Sequence, residues 1–161
     1  MRFRSAAGPP PKLLCVDDDL GARQFYQRIL EAHGYKVLLA EGGVQALHLL
    51  RKQVFAAVVC DYEMPGMNGG ELAAEIKRSR PRMPFLLISG HESVLDDPPQ
   101  GVDFSLEKGA PLNRLLEVVE HLCLSSSPRL VHMADLRRLA PLGQALAGVA
   151  VAAFVLPRIL K

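Results

Sequence analysis

With 161 residues, of which 49% are hydrophobic and 22% charged, the chain has room for one domain with a sizeable core and not for two comfortable ones. The formal charge of +2 is unevenly spread, with 14 basic and 16 acidic residues up to position 128 and five basic and one acidic beyond it. The basicity belongs to the tail. Without a helix-turn-helix pattern or interleaved basic and aromatic residues, the composition argues against a nucleic-acid-binding domain.

The first stretch carries Arg2 and Arg4 and then Gly8-Pro9-Pro10-Pro11, a composition that resists packing, so residues 1–11 are expected to form a flexible arm. It lacks the apolar core of a secretory signal. Lys12 to Val16 is a short apolar run without helical period that stops at Asp17-Asp18-Asp19, the pattern of a strand buried on both faces. Gly21 to His33 follows as an amphipathic helix with Phe25, Ile29 and Ala32 on one face and Gly34 as its stop. Tyr35 to Ala40 reads as a second strand, and Val44 to Lys52 as a helix with Val44, Leu47 and Leu50 at helical spacing.

Val54 to Cys60 is the third strand, ending in Asp61 and then turn formers. An unpaired carboxylate at a buried strand end is costly, so Asp61 either caps the next turn or has a cation, a hydrogen-bond network or a chemical task. Gly70 to Arg80 is a helix with Leu72, Ala73 and Ile76 inward, Phe85 to Ser89 a fourth strand, and Val102 to Leu106 a short fifth. Between the last two, Asp96-Asp97-Pro98-Pro99 leaves room for only a reduced or irregular helix. Pro111 to Leu124 closes the domain as an amphipathic helix with Leu112, Leu115, Leu116, Val119 and Leu122. The cysteines Cys15, Cys60 and Cys123 lie far apart in apolar runs without C-x-x-C spacing, which favours buried thiols in a reducing compartment over a zinc site.

Alternating strands and helices of this length imply an α/β doubly wound sheet whose ligand site lies at the carboxyl ends of the strands. That edge collects Asp17, Asp18, Asp61, Ser89 and Lys108. Three converging carboxylates repel one another unless they share a hard divalent cation, and all-oxygen ligation suits Mg²⁺. Lys108 and Ser89 then offer a charge and a hydroxyl to an anion beside the metal. The plainer alternatives are helix capping by Asp17 and Asp18 and a turn hydroxyl at Ser89.

Val16-Asp17-Asp18, Asp61-x-x-Met64-Pro65-Gly66-Met67-x-Gly69, Leu87-Ile88-Ser89-Gly90 and Glu107-Lys108 together resemble the receiver domain of two-component response regulators, over residues 12–124. The resemblance implies a flavodoxin-like (CheY-like) five-stranded parallel sheet of order 2-1-3-4-5 with helices on both faces. It also implies that Asp61 accepts a phosphoryl group from a histidine kinase or phosphotransfer protein. Asp17, Asp18, Asp61 and the backbone carbonyl of Glu63 would hold Mg²⁺, while Lys108 and Ser89 would contact phosphoryl oxygens. Such a chain is a signalling protein and not a conventional enzyme. Glu63 and His91 fall where the family flanks the approach of water to the phosphoryl group.

Three departures bear on output. Ser105 stands where the family usually has a switch Tyr or Phe, with Phe104 one position earlier; Gly109 replaces the usual Pro after the lysine; and the fourth helix is short. They motivate the alternative of a phosphorylation-independent receiver acting as an adaptor.

Residues 125–138 read as a linker. The run Leu139 to Pro157 then holds nineteen residues without a charge, long enough as a helix to span roughly 28 Å, close to a bilayer core. Residues 139–160 are thus expected to form a hydrophobic helix that anchors a cytoplasmic receiver to the inner face of the membrane, against the alternative of docking on the domain or a partner.

Overall fold

The computed structural model describes residues 9–125. Five strands and five helices alternate along it: β1 (Lys12–Val16), α1 (Leu20–Ala32), β2 (Lys36–Ala40), α2 (Gly43–Lys52), β3 (Ala57–Asp61), α3 (Gly69–Ser79), β4 (Phe85–Ser89), α4 (Glu92–Asp96), β5 (Phe104–Glu107) and α5 (Leu112–Ser125). The strands form one parallel sheet in the order β2-β1-β3-β4-β5. Because every strand runs the same way, all carboxyl ends share one edge and all amino ends the other.

Side chains alternate across each strand, so the apolar runs feed two cores at once. On one face Leu14, Val58, Phe85 and Leu87 pack with Ala46 and Leu50 of α2, Leu72 and Ile76 of α3, and Val94 of α4. On the other Leu13, Val59, Leu86 and Ile88 pack with Leu30 of α1 and Leu115, Val119 and Leu122 of α5. Removing a side chain of this kind from water contributes about 1.5–3 kcal/mol. That apolar burial is what fixes the strand ends in register.

Several expected boundaries and faces shift. β3 begins at Ala57 and not Val54, since Val54 is 81% exposed while Phe55 turns into the core. Helix α1 buries Leu30, leaving Phe25 half exposed and edge-on to Tyr26. On α2, Ala46 and Leu50 face inward and Val44 is exposed. Leu112 points outward, and Val118 takes its place in the core face of α5. The expected reduction of the fourth helix is borne out: α4 has five residues and gives way to Asp97-Pro98-Pro99, where proline supplies no amide to continue it.

Of the arm expected over 1–11, only the exposed prolines at 9–11 fall within the described residues. Apart from Ser125, which ends α5, the linker at 125–138 and the hydrophobic helix at 139–160 lie outside them. Among the described residues no helix is long and apolar enough to cross a membrane.

Candidate functional site

The carboxyl edge of the sheet brings three of the expected acids together. Asp17 follows β1, Asp61 ends β3, and with Asp18 they place carboxylate oxygens within 4.8 Å of one another. Asp17 and Asp61 are buried and Asp18 is exposed. Capping does not account for Asp17 and Asp18, because Asp19 is the N-cap of α1, its carboxylate accepting the Ala22 amide at 2.7 Å. Asp17 is aimed instead by the Asp19 amide, which donates to its Oδ1 at 2.8 Å, and by the Arg23 guanidinium, which donates to its backbone carbonyl. Arg23 escaped the sequence reading. The available signal was its place one helical turn beyond Asp19.

Lys108, just past β5, brings its Nζ to 2.9 Å from Asp61 Oδ1. Apart from this ion pair, the buried Oδ1 has no polar partner among the described residues. Desolvation raises the Asp61 carboxyl above its ordinary range against the pull of Lys108. Asp17 is raised by the same burial, opposed by the Asp19 amide and reinforced by the charge of Asp61. Burial pulls the Lys108 ammonium down, yet the charges of Asp61, Asp17 and Glu63 outweigh it and the net shift is upward. Two buried acids are therefore held close together, with a partly exposed lysine paired to one of them. With Asp18 the acids make an all-oxygen donor set, which fits a hard divalent cation.

Ser89 is fully buried at the end of β4, one residue past Ile88, the register partner of Asp61. Its Oγ accepts the His91 amide at 3.0 Å, the turn role the sequence had left open, and its own proton remains available to donate. The Lys108 amide donates to the Ser89 carbonyl at 2.8 Å, which ties the β4 and β5 ends together. Glu63 extends its side chain over the site. His91 Nε2 donates to Glu63 Oε1 at 2.8 Å, and Lys108 stands 3.8 Å from Glu63 Oε2. The His91 contact holds the Glu63 carboxyl below its ordinary range.

The loop carrying Glu63 is fixed from its far end by a capping box: Asn68 accepts the Glu71 amide at 2.9 Å, and Glu71 accepts the Asn68 amide at 3.0 Å. Past the lysine, Gly109 has φ +88°, a conformation closed to proline, so this turn differs in kind from the one the family's proline stiffens. Phe104 does not substitute for the aromatic missing at Ser105. It packs on the α5 side, its ring 5.5 Å from that of His121, whereas strand alternation turns Ser105 to the opposite face.

A doubly wound sheet of order 2-1-3-4-5 with an acidic cluster at its carboxyl edge and a lysine just past the end of β5 defines the flavodoxin-like class. The response regulator receiver domain model matches residues 13–120. The chain belongs to that family. It is 40% identical over 88 residues to the transcriptional regulatory protein ZraR of Klebsiella oxytoca, covering 55% of this chain and 20% of that one. It is 34% identical over 125 residues to the response regulator MprA of Mycobacterium sp. (strain KMS), covering 74% of this chain and 53% of the other. The response regulator TrrA of Thermotoga maritima, solved in complex with Mg²⁺-BeF, superposes with a TM-score of 0.66 at 28% identity over 70% of this chain and 98% of that one. The chain spans from a fifth to about half the length of these curated relatives.

Proposed function

We propose that the protein is a response regulator that accepts a phosphoryl group on Asp61 from a phosphohistidine of a sensor kinase or phosphotransfer protein, and signals by protein contact. The observation that carries this reading is the buried Asp61 carboxylate, clustered with Asp17 and Asp18 and paired with Lys108. Mg²⁺, the ion present in the TrrA complex, would be held by Asp17, Asp18, Asp61 and the Glu63 carbonyl. Bound there, it supplies positive charge to the phosphoryl oxygens.

The chain's own groups do the rest. An Asp61 oxygen forms a bond to phosphorus as the phosphorus–nitrogen bond of the donor breaks, and the imidazole leaves with the electron pair of that bond. Lys108, already paired with Asp61, moves its charge to a phosphoryl oxygen, and the Ser89 hydroxyl donates to another. Incubation with radiolabelled acetyl phosphate tests the reading. Label is expected with Mg²⁺ and is expected to fall to background with a chelator; incorporation indifferent to chelation would remove the proposal.

The absence of an aromatic at Ser105 and the turn at Gly109 favour one alternative, a phosphorylation-independent adaptor. Its signature is labelling at Asp61 that leaves partner affinity unchanged. In either case residues 139–160 tether the cytoplasmic domain to the inner face of the membrane. The full chain is then expected in the membrane fraction and a chain without residues 129–161 in the soluble one; identical fractionation of the two would defeat tethering.

A further inference from the structure

The edge of the sheet opposite the acidic site has the opposite charge. Parallel topology gathers there the amino ends of the strands and the carboxyl ends of the helices that run back to them. Lys36 opens β2, Arg51 and Lys52 close α2, and Arg82 lies between α3 and β4; all four are exposed. None of the four pairs with an acidic side chain among the described residues. Other basic groups of this edge are already engaged: Lys12 donates to Gln53 at 2.9 Å, Lys77 to Asp103 at 2.7 Å, and Arg80 to the Leu50 carbonyl.

Apolar surface accompanies this charge. Val54 is 81% exposed two residues after Lys52. Beside it an open depression of about 410 Å³ is lined by Phe55, Arg80, Pro81, Arg82, Met83 and Pro84. A shallow apolar floor rimmed by basic side chains suits a layer of anionic headgroups over acyl chains.

Chain connectivity points the same way. Helix α5 ends at Ser125 on this edge: Tyr35, just ahead of β2, has the α5 residues Cys123 and Glu120 as its electrostatic neighbours. The sequence that follows carries Arg129, Arg137 and Arg138 and then the uncharged run from Leu139 to Pro157. Residues 1–8, with Arg2 and Arg4, join at the same edge through β1.

We propose that the amino-terminal edge of the sheet, through Lys36, Arg51, Lys52 and Arg82, lies on an anionic lipid surface. The strands are five residues long, so about 17 Å of sheet then separate the lipid from the acidic site, which faces the phosphoryl donor. The choice of lipid over nucleic acid rests on the tethering reading of residues 139–160. The patch itself does not.

The test is co-sedimentation of the full chain with phosphatidylcholine vesicles and with vesicles that also contain phosphatidylglycerol. Wild-type partition is expected to climb with the anionic fraction and to fall with salt. In the triple variant Arg51→Gln, Lys52→Gln, Arg82→Gln, partition onto anionic vesicles is expected to drop by about 100-fold, about fivefold for each residue. Partition onto neutral vesicles and Mg²⁺-dependent labelling are expected to stay at wild-type levels, and the labelling also reports the fold. Should the triple variant fail to fold, the single variant Arg82→Gln is expected to show its fivefold loss.

Equal binding of variant and wild type to anionic vesicles overturns the proposal. So does a DNA or RNA duplex that binds wild type more tightly than the vesicles do and loses the variant, which would make the edge a nucleic-acid surface. Absence of neutral-vesicle binding, with the anionic difference intact, removes the tethering reading and leaves the basic edge standing.

Discussion

Asp61→Asn is expected to reduce phosphoryl acceptance to background while raising the stability of the domain. The first effect follows from chemistry, since an amide is a poor nucleophile toward phosphorus and cannot complete the acidic cluster. The second follows from the environment of the carboxylate. Burial raises the Asp61 carboxyl above its ordinary range despite Lys108, so the fold disfavours the charged form on balance, and the neutral isostere is relieved of that cost. The repulsion between Asp61 and Asp17, which raises the Asp17 carboxyl too, disappears with it.

About 1 kcal/mol is the expected gain, seen as a rise in Tm of about 3 to 6 °C in magnesium-free buffer for a domain of this size. The sign can be checked against pH. A carboxyl raised in the folded state adds stability as pH falls through its folded value toward its ordinary one, so wild type is expected to close part of the gap under acid conditions. Magnesium is expected to narrow the same gap by a different route. It binds the folded wild type and is expected to raise its Tm more than that of the variant. Label retained on the variant, or a lower Tm without magnesium, would show that Asp61 is not the reagent or that Lys108 outweighs its desolvation.

The positions of these acids were legible in the sequence because each one interrupts an apolar run, and a parallel sheet has only one edge at which such interruptions can meet. Asp17, Asp61 and Lys108 needed only strand ends to be located. The helix faces were less legible. In α1, apolar and aromatic residues at 22, 25, 26, 29, 30 and 32 fit more than one stripe at helical period, and packing against the sheet selects Leu30 while leaving Phe25 outside. The start of β3 was overread for a related reason. Val54 and Phe55 continue the apolar run, but the Ala56 amide donates to the Lys12 carbonyl at 2.7 Å and the ladder begins only at Ala57.

The Glu63 contacts to His91 and Lys108 were out of reach altogether. They depend on how the loops after β3, β4 and β5 approach one another, and no local pattern encodes that approach. The capping role of Asp19 lay nearer the surface of the sequence. Once it is assigned, Asp17 and Asp18 are freed for the site.

Gly69→Ala is expected to damage both the fold and the site, although Gly69 touches neither metal nor phosphoryl group. It is the first residue of α3, and its amide donates to the Tyr62 carbonyl at 2.9 Å, closing the loop that follows Asp61. A Cβ there would lie 2.4 Å from the Asp61 carbonyl oxygen, 2.6 Å from Leu87 Cδ1 and 3.0 Å from Tyr62 Cα. Two of those neighbours are backbone, and the third is a fully buried core side chain, so none can swing away as a surface side chain would. Either the end of β3 or the start of α3 must shift.

Overpacking of this kind costs about 1–3 kcal/mol, which a denaturant titration resolves as a lowered midpoint. The catalytic consequence is expected to be larger. Moving the end of β3 moves the Asp61 carboxylate relative to Asp17 and Lys108, and a displacement near 1 Å is enough to slow a positioned reaction by about 10²-fold. The rate of label incorporation from acetyl phosphate, measured where the variant is still fully folded, separates the two effects. A variant that is destabilised yet labels at the wild-type rate would mean that the contact between β3 and α3 supports the fold and does not aim Asp61.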